Sequence, residues 1–119
     1  MGAYSDCEDT LKSLEEARTE ALKEIVVAQN DLEEKFSIYM FYFFCGNIPM
    51  MELYAKAIKE HNEGIRVFMN FQVETFEKCI NLLKKLLKNN ASDEELERGL
   101  AEVDSNLREL DERAKEFLE

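Results

Sequence analysis

The chain has 119 residues and a mass of 13.9 kDa, enough for one modest core and too little for two domains. With 34% charged and 45% hydrophobic residues, four Gly and one Pro, its composition is neither disordered nor fibrous, and it lacks the turn residues an all-β fold needs at short intervals. A net charge of −11 repels phosphate backbones and anionic headgroups, so nucleic acid is excluded as an expected partner and a basic protein surface is the better electrostatic match.

From Ser5 to about Phe44, Leu11, Leu14, Ala21, Ile25, Ala28 and Leu32 recur at helical spacing, with Arg18 filling the one polar step. This predicts a first helix over residues 5–44. Ser5 and Glu8 have capping-box spacing, and Asp6, Glu8 and Asp9 put negative charge at the positive end of the dipole. Gly46 and Asn47 offer a left-handed stop, and Pro49 the fixed φ of a new first turn.

A second helix is predicted over residues 49–88. Its seam through Met51, Tyr54, Ile58, His61, Ile65, Phe68, Gln72, Phe76, Cys79, Leu83 and Leu86 keeps phase across Gly64, so this glycine is expected inside one long helix at a cost of roughly 1 kcal/mol. Asn89 and Asn90 end it, with Lys84, Lys85 and Lys88 complementing the dipole. Ser92 and Glu95 then form a second capping box. The third helix, over residues 92–118, carries Leu96, Leu100, Val103, Leu107, Leu110, Ala114 and Phe117 in alternating steps of four and three, the heptad of a coiled coil.

Two long helices with a short connection predict an antiparallel hairpin about 60 Å long. The third helix is shorter and is expected to dock along residues 5–32 and 63–89, burying Leu107 against both neighbours. Charge favours this arrangement: the first helix has ten acidic and four basic residues, the second five and seven, and residues 92–119 eleven and four. The expected fold is therefore all-α, a single helical domain over residues 1–119 built as an elongated antiparallel three-helix bundle or coiled coil. Residues 33–62 are left as a projecting hairpin tip.

That tip holds the most apolar sequence in the chain. Residues 36–51 carry no charge, and 33–62 contain seven of the twelve aromatic residues. Ile38 to Cys45 is apolar all round, whereas a helix that buries one stripe needs only about 100° of apolar face. Two other folds of the segment are less compatible with the pattern: a break near Gly64 that closes a compact four-helix core, and a β-strand over 36–45, for which MMELYAKAIKE offers no partner. The uncharged run, 16 residues interrupted by Gly46 and Pro49, is too short to span a bilayer.

The expected role is a non-enzymatic protein–protein interaction module, a homodimer or higher oligomer formed through Phe36, Tyr39, Met40, Phe41, Phe43, Phe44, Ile48, Met50, Met51 and Tyr54. The alternative occupant of the same tip is a membrane interface. A lesser expectation is that the acidic helices bind or inhibit a basic protein. No cofactor is expected. His61 lacks the carboxylate three residues earlier that helical di-iron sites use, and neither zinc spacing nor a phosphate loop occurs. His61, beside Glu60 and Glu63, is expected to pack in the seam; a pH-sensitive role is the alternative.

Cys7, Cys45 and Cys79 are odd in number and without paired spacing, which suits free thiols in the cytoplasm. The helix register also separates Cys7 from Cys79 along the axis by more than a disulfide spans. The polar, acidic residues 1–9 do not resemble a secretory leader.

Overall fold

The computed structural model describes residues 2–118, the last of them in its backbone only. It is all-α, with helices α1 (Ala3–Cys45), α2 (Ile48–Glu60), a π-helical turn (His61–Ile65), α3 (Arg66–Lys88) and α4 (Asp93–Leu118). No strand occurs among the described residues, so the β-strand alternative for 36–45 falls.

α1 starts two residues before the expected Ser5. Asp6 N–H donates to the Gly2 carbonyl at 3.1 Å, the N-cap is Gly2, and no side chain caps this end. Ser5 is thus already inside the helix, and the expected box with Glu8 does not open it.

At its other end α1 stops on Gly46 at φ 72°. Gly46 N–H donates to Phe43 O at 3.2 Å and Asn47 N–H to Tyr42 O at 3.0 Å, the paired bonds of a Schellman stop. Asn47 does not share the left-handed conformation. It sits at φ −84° and its side chain accepts the Met50 N–H at 3.3 Å, capping α2. The second turn repeats the stop with Asn90 at φ 53° in the glycine role, and Ala91 N–H donating to Leu86 O at 3.1 Å. Ser92 Oγ then accepts the Glu95 N–H at 3.2 Å.

Helical backbone runs unbroken from Ile48 to Lys88, so Gly64 does not break the second arm, but the arm is not uniformly α. The π turn spans His61–Ile65. Gly64 faces Phe117 there: a Cβ on Gly64 would lie 3.0 Å from the Phe117 ring. That ring stacks on Phe68 at 5.4 Å between centroids. The missing side chain seats the end of α4.

Pairs of residues define the directions. Tyr42 stacks on Tyr54 at 5.9 Å and Lys84 lies 3.9 Å from Glu15, so α2 and α3 return antiparallel along α1. Phe117 on Phe68 and Asn106 beside Cys79 turn α4 back along α3. At Gly99 the α4 backbone comes so close that a Cβ would run into Leu86. The molecule measures 66 × 23 × 18 Å with a radius of gyration of 19.9 Å, against about 13–14 Å for a globular chain of this length.

The core lies in the shaft, where Cys7, Cys79, Ile80, Leu83, Leu96 and Val103 are fully buried. The α4 heptad is buried unequally. Leu96, Val103 and Leu110, seven residues apart, are buried, whereas Leu100, Leu107 and Ala114 are half-buried. Leu107 is therefore not enclosed by both neighbours as expected, because α4 lies chiefly along α3 and touches α1 more sparsely.

Candidate interaction surface

The tip is built by the last three turns of α1, the Gly46–Asn47 turn and α2. No residue of α2 is buried, and the buried residues of α1 all lie at or before Ala21. Beyond that point Ile25 still packs against the core, and the apolar side chains of the tip itself are half-buried or exposed.

Five of the ten expected contact residues are exposed: Phe36, Phe41, Phe43, Phe44 and Ile48, with Phe44 at 77% and Phe41 at 62%. Tyr39, Met40, Met50, Met51 and Tyr54 are half-buried. The Tyr42–Tyr54 stack ties the arms together, while Phe43 and Phe44 meet edge to face at 5.6 Å. Leu53, at 57%, is a sixth exposed apolar residue that the sequence argument omitted; its place on α2, off the 51–54–58 seam, is the signal that marks it.

Two grooves flank the arms. One, of 490 Å³, is lined by Gln29, Leu32, Glu33, Phe36, Ser37, Ile58 and Asn62. The other, of 620 Å³, is lined by Val27, Ala28, Ile65, Met69 and His61 under a rim of Glu20, Lys23, Glu24 and Asp31. Val27 and Gln29 are about 200° apart around α1, so the grooves open on opposite faces. His61 is 4% exposed, and neither ring nitrogen has a hydrogen-bond partner. Among the described residues no three His, Cys, Asp or Glu side chains group to hold a metal ion.

All three thiols are free. Cys45 is exposed at the tip, whereas Cys7 and Cys79 are buried in the shaft. Burial pushes the Cys7 thiol above its usual range, with Asp6 adding to the effect. Burial does the same for Cys79 against the opposing pull of the Asn106 amide, which donates to its sulfur at 3.8 Å. Both behave as small apolar core residues.

No helix among the described residues is long and apolar enough to cross a membrane. Comparison with family models, curated proteins and solved structures gives no match.

Proposed function

We propose that this chain is a non-enzymatic protein–protein interaction module that forms a homodimer through its aromatic tip, with the shaft acting as an acidic three-helix coiled-coil spacer. The observation that carries the reading is the exposed cluster of Phe36, Phe41, Phe43, Phe44 and Ile48 on a hairpin with no buried residue beneath it. Soluble monomers rarely leave a contiguous apolar patch of more than a few hundred Å² in water.

Surface area points the same way. The chain exposes 8427 Å², where a compact monomer of this mass exposes about 6,700 Å². The excess exceeds the roughly 800 Å² per partner of a standard interface. A second copy is the occupant that charge favours. Residues 36–51 are uncharged in a chain of net charge −11, so two tips meet through the part of each chain poorest in charge while the acidic shafts point away from each other.

Multi-angle light scattering at micromolar concentration tests it. The expected mass is twice 13.9 kDa, falling to one chain in Phe43→Glu and unchanged in Glu102→Lys, which alters an exposed shaft residue. A monomer in the unsubstituted protein overturns the proposal. Flotation with liposomes of neutral lipid, leaving no dimer in the dense fraction, assigns the tip to a membrane interface instead.

A further inference from the structure

The geometry points to one particular face of the tip as the contact between two copies, an inference that rests on the dimer reading above. At 100° per residue, Leu32, Phe36, Met40 and Phe43 fall within about 80° of arc on α1, and Ile48, Met51, Ala55 and Ile58 within about 80° on α2. The 490 Å³ groove joins the two arcs, since Leu32 and Phe36 line it together with Ile58. The arcs meet there across a lining that also contains the polar Gln29, Ser37 and Asn62, and toward the turn they carry apolar side chains alone.

The other side of the hairpin differs in chemistry. Phe41 lies about 200° round α1 from Phe43. Lys56 and Glu60, paired at 3.9 Å, lie about 120–160° from the centre of the apolar arc of α2. Lys59 and Glu52 lie about 60° and 80° from the centre of that arc, so docking on the groove side leaves them at the rim of the contact, whereas docking on the other side covers the Lys56–Glu60 pair. Glu33 lines the groove at its shaft end, and there the charge-free surface stops.

This limit sets the register. The uncharged part of α1 runs over residues 36–45, and pairing it antiparallel with itself centres on residues 40–41. A two-fold axis in the contact plane, crossing the helices at that level, sets α1 against α1 of the second copy and α2 against its α2. Each face covers the other, because a two-fold contact is self-complementary. Met40, half-buried and on the apolar arc, then sits beside the axis. The two Cys45 residues are about 13–14 Å apart along the helices, beyond the reach of a disulfide.

Neighbouring residues give the test. In full-length protein with Cys45→Ser, Met40→Cys is expected to form an interchain disulfide under mild oxidation, and Phe41→Cys is expected not to. Phe36→Glu is expected to raise the dimer dissociation constant by about 1,000-fold, because symmetry makes each lost contact count twice, and Phe41→Glu by less than about 10-fold. A dimer by light scattering that links through residue 41 and not 40, or through the native Cys45, overturns the assignment of face and register while leaving dimerisation standing. A monomer removes the dimer reading and this inference with it.

Discussion

Burial within one heptad decides which substitutions matter. Leu96 is 2% exposed, whereas Leu107, at the other apolar position of the repeat, keeps contact with water. Leu96→Ala is therefore expected to cost about 2–5 kcal/mol, a large share of the stability of a domain this size. Leu107→Ala is expected to cost about half as much, since its methyl groups leave a site that solvent already reaches. Urea unfolding of the two variants with unchanged m-values checks the order; equal costs mean that α4 docks on α1 as tightly as on α3. Heptad periodicity identifies both leucines as apolar but cannot rank them. The ranking follows from α4 leaning on α3, which depends on the close approach at Gly99 and the Phe117–Phe68 stack.

At the scale of elements, what the sequence makes legible is what local chemistry determines. Gly46, Pro49, Asn90 and Ser92 mark turns because positive φ, a fixed φ and a short hydroxyl each have few uses elsewhere. The unbroken apolar phase through Gly64 likewise reveals a continuous second arm. The π turn is not legible, because the apolar phase runs on through it, and neither is the contact made there by Phe117, 53 residues downstream, whose ring packs beside Gly64. The Ser5–Glu8 box fails for a local reason. Asp6 N–H reaches the Gly2 carbonyl, so the helix begins upstream of an otherwise good cap. Asn47 is the element-scale test. Its side chain holds the first turn of α2 at the Met50 N–H, and α2 has no fully buried residue to reinforce it, only half-buried ones and the Tyr42–Tyr54 stack. Asn47→Ala is expected to cost about 0.5–2 kcal/mol, with amide exchange accelerating across residues 48–54 and unchanged in α4. Uniform acceleration along the chain means that the tip does not unfold separately from the shaft.

For the whole molecule, the separation of charge from apolar surface is the property on which the proposed association rests. The acidic residues lie along a body 66 Å long, and the uncharged run sits at its far end. Surface pairs add little to this picture: among the described residues seven of the eight ion pairs are between neighbours on one helix, and only Lys84–Glu15 joins two. Such exposed pairs contribute at most about 1 kcal/mol each. What remains at long range is repulsion between two chains of −11, and its sign separates self-association from binding of a basic partner. Salt screens the repulsion, with a Debye length falling from about 10 Å at 0.1 M to about 3 Å at 1 M. A tip-to-tip dimer is therefore expected to tighten as salt rises, and only slightly, by less than about 10-fold, because the shafts are held apart. An acidic surface that recruits a basic protein behaves in the opposite way and loses affinity steeply. Sedimentation equilibrium of the chain alone across this salt range reads the sign directly. A dimer that dissociates on adding salt means that opposite charges hold the two copies together and moves the contact from the tip to the shaft, where α3, the only helix with more basic than acidic residues, lies beside acidic neighbours.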